Sequence, residues 1–179
     1  MTAVRFTKMH GAGNDFVILD RLLGAPLPDA PLARRLADRH FGVGCDQIML
    51  VEAASTAGSA YGYRILNADG SNAGQCGNGA RCVARYLRDR HHLPDGALLD
   101  SPGGAIAVHF LTDDQVELAL GVPRFAPQEI PFLATETPIR SKLAPTGDTA
   151  QTRCALQLPH QVVEISALSM GNPHAVYVV

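Results

Sequence analysis

The apolar runs in this chain are short. The longest are four or five residues, as in residues 16–19, and turn-forming or charged residues close them. Runs of that length cannot span a bilayer. Bounded by glycine, asparagine and aspartate, they read as β-strands. Strands are predicted at residues 4–8 and 15–20, around the turn-like Gly11-Ala12-Gly13-Asn14, and at 47–52 and 61–67. After Pro94-Asp95-Gly96 the apolar period becomes two. This predicts a hairpin of 105–111 and 115–120 around Thr112-Asp113-Asp114, then strands at 153–158, 162–168 and 175–179.

Two segments follow a helical period instead. Asp29 can cap a helix with Pro31 in its first turn and Leu32 and Leu36 four apart, running to Arg39 with Gly42 as its stop. A second helix is predicted from about Gly77 to Arg90. Ala80, Val83, Ala84 and Leu87 share one of its faces, and Arg81, Arg85 and Arg88 share another. Residues 121–131, with Pro123, Pro127 and Pro131, read as a crossing between domains.

Composition narrows the function. The 179 residues carry 15 Lys+Arg against 17 Asp+Glu, a net charge of −2, which lacks the basic surplus of a nucleic-acid or membrane-surface binder. With 46% hydrophobic and 18% charged residues, a packed core is expected. Residues 1–15 are interrupted by Arg5, Lys8, His10 and glycines, so they hold no signal-peptide core. The four cysteines include no C-x-x-C pair, and none of the seven histidines stands at metal-ligand spacing from a partner. His91-His92 reads as a solvated helix end, and Cys45, Cys82 and Cys154 read as packing residues. Gly11-Ala12-Gly13 is not a dinucleotide fingerprint, and no G-K-[ST] phosphate loop exists. The expectation is a soluble, reduced, cytoplasmic protein with no metal and no nucleotide cofactor.

The densest chemical signal runs from Asn67-Ala68-Asp69-Gly70-Ser71 to Gln75-Cys76-Gly77-Asn78-Gly79-Ala80-Arg81. A strand leads in, a polar loop follows, and a helix starts at or just after Cys76. Unpaired first-turn amides and the positive end of the helix dipole would then face the sulfur and raise its thiolate fraction. Gly77 and Gly79 leave those amides open to a small carboxylate. The opposing reading makes Cys76 a small buried hydrophobe and the glycines mere turn residues. The polar surroundings favour the reactive one. Asn14, Gln47, Asn67, Asn78 and Asn172, with His174, sit in turns or at strand ends. Singly each is a turn or capping residue. Together with a reactive thiol they suit a zwitterionic small molecule, because amides donate to a carboxylate and accept from an ammonium.

These blocks resemble diaminopimelate epimerase. The resemblance rests on Phe6-Thr7-Lys8-Met9-His10-Gly11-Ala12-Gly13-Asn14-Asp15-Phe16-Val17 and Arg39-His40-Phe41-Gly42-Val43-Gly44-Cys45-Asp46-Gln47. It rests also on Asn67 to Ser71, on Gln75-Cys76-Gly77-Asn78-Gly79-Ala80-Arg81-Cys82, and on Met170-Gly171-Asn172-Pro173-His174. It implies an α+β fold of two pseudo-symmetric lobes, each a curved, largely antiparallel or mixed sheet wrapped around a central helix, with the site in the cleft. It implies a cofactor-independent epimerase interconverting LL- and meso-diaminopimelate for lysine and peptidoglycan synthesis, homodimeric at full length. Cys76 matches one of two catalytic cysteines. Asn14, Gln47, Asn67, Gly77, Asn78 and Asn172 match substrate-binding positions, and His174 matches a residue that tunes the thiols.

The chain departs from the family in its second part. The partner cysteine in a Cys-Gly-[ST]-Gly-like motif is not found, since Cys154 sits in Thr152-Arg153-Cys154-Ala155-Leu156. The expectation is a first lobe at 1–121, an incomplete second lobe at 122–179, and one cysteine supplied for a two-cysteine reaction. The alternatives are an inactive binding fragment with a half-site, or a related amino-acid racemase or isomerase.

Overall fold

Residues 16–20 are buried one after another, and that run sets the architecture. The computed structural model describes residues 3–112, 115–130 and 153–178. The chain divides into two compact units, Met1–Leu120 and Gly121–Val179.

The first unit begins with a hairpin of β1 (Thr7–Gly11) and β2 (Asn14–Asp20). Ala12 and Gly13 join them with φ of 51° and 91°. Two consecutive left-handed residues make the tight turn whose twist matches paired strands. A one-turn 3-10 segment at Arg21–Leu23 and helix α1 (Ala30–Ala37) then carry the chain to β3 (Gln47–Ala53) and β4 (Tyr61–Asn67). Helix α2 (Gly77–His91) leads to β5 (Leu98–Ser101), β6 (Gly104–Phe110) and β7 (Val116–Ala119). The seven strands form one sheet in sequential order. β2–β3 and β4–β5 are parallel and the other four pairings antiparallel, because α1 and α2 provide the crossovers that parallel neighbours require.

The alternating side chains of the central strands feed two separate cores. Phe16, Ile18, Met49, Val51, Tyr63 and Ile65 meet Ala80, Val83, Ala84 and Leu87 of α2. Val17, Leu19, Ile48, Leu50 and Leu66 meet Ala33, Leu36 and Ala37 of α1. Double coverage explains why β2 and β3 are apolar without alternation. α2 contacts β1, β2, β3 and β7, the first and last strands among them, so the mixed sheet curls around it.

The helix ends show where sequence signals misplaced boundaries. Asp29 caps α1 as expected, accepting the Leu32 amide at 2.9 Å. The helix stops at Ala37 rather than at Arg39 or Gly42, because the Asp38 carboxylate takes the His40 and Phe41 amides and folds the chain back. Gly42 sits in that turn for a steric reason. A Cβ there would lie 1.8 Å from the Arg35 carbonyl oxygen. β1 starts three residues later than predicted and the hairpin turn is only two residues long. β5 is not among the predicted strands, being only four residues with Leu98 and Leu99 as its apolar part.

The His91-His92 pair is also corrected. His91 is half-buried, its Nε2 2.6 Å from Asp20 Oδ2, beside the rings of Tyr61 and Tyr86. The Tyr86 hydroxyl donates to the same carboxylate oxygen at 2.9 Å. The last turn of α2 packs on the end of β2, so only His92 remains exposed, in the left-handed capping conformation (φ 55°) with its amide on the Leu87 carbonyl.

In the second unit β8 (Arg153–Gln157), β9 (Val162–Ser169) and β10 (Pro173–Val176) form an antiparallel sheet in the order β10-β9-β8. Its small core joins Ile130, Ile165 and Ala167 to Leu156 and Val163. Residues 121–130 are not a free crossing. Arg124 and Ser169 exchange both backbone hydrogen bonds, at 2.9 and 2.8 Å, and Pro127–Glu129 forms a 3-10 turn. The last strand ends at Val176, short of the predicted 179. Asp113 and Asp114 of the predicted hairpin turn, Pro131, Thr152 and Val179 lie outside the described residues, as does the side chain of Cys154.

Replacing Gly42 by alanine tests the seating of the Asp38 turn. Gly42→Ala must displace backbone rather than a side-chain tip and is expected to cost about 1–3 kcal/mol, read as a lower urea midpoint. An unchanged midpoint would show that the turn does not rest on α1.

Candidate active site

Cys76 is the N-cap residue of α2, with extended backbone (φ −134°, ψ 104°), and no side chain caps the helix. The first intrahelical bond runs from the Ala80 amide to the Cys76 carbonyl at 2.9 Å. The amides of Gly77, Asn78 and Gly79 precede it and have no place in the helical ladder. The thiol is half-buried, whereas Cys45 and Cys82 are each only 3% exposed. Burial, and secondarily the neighbouring Cys76, pushes the Cys82 thiol up to about 11, and burial also raises that of Cys45. Of these three sulfurs only Cys76 combines access with an open helix start.

The residues around it hold that start in place. Gln75 is buried and its Oε1 accepts the Tyr63 hydroxyl at 3.1 Å. Burial pushes that phenol up to about 12, so it stays a neutral donor. Gly79 lets the first turn settle on the core, since a Cβ there would lie 2.8 Å from Sδ and Cε of Met49. Gly11 does the same for β1, where a Cβ would be 3.1 Å from the Asn78 carbonyl oxygen. At Gly77 a Cβ would meet Leu120 Cδ1 at 3.3 Å.

Four candidate amides gather at the same end of the sheet. Asn14 opens β2, Gln47 opens β3, Asn67 closes β4 opposite Gln47, and Asn78 lies in the first turn of α2. Asn78 Nδ2 donates to Asn14 Oδ1 at 2.7 Å, and Gln47 Nε2 donates to Asn67 Oδ1 at 3.2 Å. Asn67 Nδ2 donates in turn to the Ser71 hydroxyl at 3.0 Å. Strand starts beside a helix N-terminus, rich in neutral amides, can hold a small carboxylate and accept from an ammonium.

Sequence reasoning missed the charged bracket behind these amides. Arg39 grips Asp15 with two nitrogens, at 2.7 and 3.0 Å, and reaches Asp46 Oδ1 at 2.7 Å. Lys8 donates to Asp15 at 2.8 Å and to the Gly44 carbonyl. Arg39 first, and Lys8 second, hold the Asp15 carboxyl well below the usual range. The available signal was an arginine and an aspartate closing one short loop, residues 39–46, beside the Asn14-Asp15 strand start.

Asn172 and His174 lie in the second unit. Asn172 follows Gly171 (φ 93°) in the turn between β9 and β10, and its Oδ1 is 3.0 Å from His174 Nε2. His174 pairs with Leu168 in the β10–β9 register. Among the described residues no group of three or more His, Cys, Asp or Glu is placed to hold a metal, and no helix is long and apolar enough to cross a membrane.

Residues 6–126 match the family described as diaminopimelate epimerase. The chain belongs to that family. Diaminopimelate epimerase of Xanthomonas axonopodis pv. citri (strain 306) is 50% identical over 174 residues, covering 97% of this chain and 57% of the relative. That of Teredinibacter turnerae (strain ATCC 39867 / T7901) is 44% identical over 177 residues, covering 98% and 59%. The chain thus spans less than two thirds of the length of these diaminopimelate epimerases. A probable proline racemase from Agrobacterium radiobacter K84, solved with bound carbonate, shares the fold with a TM-score of 0.64 at 13% identity, over 98% of this chain and 52% of that one. A hydroxyproline epimerase from Agrobacterium vitis does so with a TM-score of 0.61 at 12% identity, over 96% and 50%. The α+β, curled-sheet architecture is therefore that of an epimerase lobe.

Two measurements check this geometry. Limiting iodoacetamide at neutral pH is expected to label Cys76 before Cys45 and Cys82, by peptide mass mapping, and equal labelling would contradict the burial pattern. Asp15 carries a lower pKa folded than unfolded, so its stabilisation is present above the ordinary carboxylate value and is lost as pH falls. Asp15→Asn is therefore expected to melt below the parent at pH 7, with the gap closing below about pH 4. A gap that persists unchanged at low pH would remove the ion pairs as its cause.

Proposed function

We propose that this protein catalyses cofactor-independent inversion at the α-carbon of diaminopimelate, interconverting the LL and meso forms. The observation that carries the proposal is an accessible thiol at an uncapped helix start beside linked amide side chains. Family membership supports the choice of substrate, since the relatives named above are diaminopimelate epimerases.

Inversion without an electron-sink cofactor needs a base on one face of the α-carbon and an acid on the other. Cys76 as thiolate takes the α-proton. The electron pair left on carbon delocalises into the substrate carboxylate, and a second acid delivers a proton to the opposite face. In the reverse direction Cys76 as thiol delivers the proton. Within residues 1–120 Cys45 and Cys82 are too buried to be a second thiol for this step. By resemblance to the family, the second group is proposed to be another cysteine, outside residues 1–120.

The carbanion-like transition state concentrates charge on the substrate carboxylate. The amides of Gly77, Asn78 and Gly79 are fixed donors for it, preorganised before the reaction begins. Asn14, Gln47, Asn67 and Asn78 are proposed to bind the substrate's polar ends. Asn172 and His174 are assigned to substrate binding and thiol tuning on the same family pattern.

The test is α-proton exchange in heavy water with LL-diaminopimelate, followed by proton NMR on protein from the complete coding sequence. Cys76→Ala is expected to lower exchange by about 10²- to 10⁴-fold. Exchange at the parent rate would overturn the role of Cys76. Turnover of proline or trans-4-hydroxyproline in place of diaminopimelate would move the assignment to another epimerase of this fold.

A further inference from the structure

The charged bracket behind the amides joins two carboxylates through one guanidinium. Arg39, Asp46 and Asn14 are exposed, and exposed ion pairs contribute little to folding. Yet Asp15 and Asp46 are cross-linked on every side. The Asp46 amide donates to the Asp15 carbonyl at 3.0 Å and to Asp15 Oδ1 at 3.0 Å. The Asp15 amide donates to Asp46 Oδ2 at 3.2 Å, and Arg39 Nη2 touches both carboxylates at 2.7 Å. One oxygen of Asp46 is held by Arg39. The other, Oδ2, accepts Asn14 Nδ2 at 3.1 Å beside the Asp15 amide.

That single contact fixes two amides. A carboxylate can only accept, so Asn14 must turn its NH₂ to Asp46 and its carbonyl away. The carbonyl, Asn14 Oδ1, can only accept, so Asn78 must turn its NH₂ to Asn14. Asn78 Oδ1 then faces Arg81 Nη1, at 3.4 Å. Each amide nitrogen keeps one proton that no described residue takes. Charged groups at both ends, Asp46 at Asn14 and Arg81 at Asn78, therefore agree on one polarity for the row.

We infer that Arg39 and Asp46 are positioning residues, which through Asn14 fix the amide of Asn78 with its NH₂ presented beside Cys76 for an anionic group of the substrate. This rests on the epimerase reading above. Neither residue touches substrate in this scheme. Their action is to remove the alternative amide orientation, which would present a carbonyl oxygen to a carboxylate.

The experiment uses Asp46→Asn, which can donate as well as accept, and Arg39→Lys, which keeps the charge but loses the two-pronged grip. Two readouts are taken on protein from the complete coding sequence. One is the steady-state constants for LL-diaminopimelate. The other is the side-chain NH₂ resonances of Asn14 and Asn78 in ¹⁵N spectra, assigned by Asn14→Ser and Asn78→Ser. Asp46→Asn is expected to raise KM by about tenfold to a hundredfold, with a smaller change in kcat. It should also shift the Asn78 NH₂ signals, with the thermal midpoint within about 4 °C of the parent. Arg39→Lys should fall between parent and Asp46→Asn in both readouts. Unmoved Asn78 signals, an unchanged KM, or a loss that follows the thermal midpoint would each overturn the inference. A parent protein that turns over no diaminopimelate would overturn the epimerase reading instead, and the NH₂ signals alone would then decide the relay.

Discussion

The packing of α2 inside the curled sheet is the constraint on which the first unit depends. Its apolar face, Ala80, Val83, Ala84 and Leu87, is fully buried against β2, β3 and β4. Truncating one such leucine in a packed core costs about 2–5 kcal/mol, more than any single exposed polar contact in the molecule can return. Because the helix cannot shift, its first turn cannot shift either. Gly79 against Met49 and Gly11 against the Asn78 carbonyl mark how closely that turn is fitted. Cys76 inherits its position from this packing, and its open amides from the lack of a capping side chain.

A helix start left uncapped is a stability cost of about 0.5–2 kcal/mol by comparison with a Ser, Thr, Asp or Asn cap. The same chain caps α1 with Asp29 and the Arg21–Leu23 turn with Asp20. The omission at α2 is thus local. It coincides with the one accessible thiol among the three described cysteine side chains.

The fold was legible where period and length agreed. The alternation of β6 and β7, the cap at Asp29, and the α2 face all follow from residue pattern alone. What was not legible came from partners distant in sequence. His91 carries the composition of a solvated helix end, and only the return of β2 beneath it brings Asp20 within 2.6 Å. Arg39 lies past a helix that Asp38 ends early, so its pairing with Asp15 depends on a turn whose signal was read as helix. The four amides were named singly from their turn positions. Their joining depends on β2–β3 pairing in parallel and β3–β4 in antiparallel, a register that no local pattern announces.

Two kinds of force therefore meet at this end of the sheet, and they divide the labour by range. Burial fixes backbone positions to the core and is indifferent to which way an exposed amide turns, because flipping an Asn exchanges two atoms of nearly equal size. Only hydrogen-bond polarity distinguishes those orientations, and it must be anchored by a group that cannot itself flip. A carboxylate held by a guanidinium meets that condition, since one has no protons to offer and the other no lone pairs. In the bracket of Arg39, Asp15 and Asp46, half-buried Asp15 carries the stabilising ion pairs, and exposed Asp46 is the carboxylate that meets Asn14.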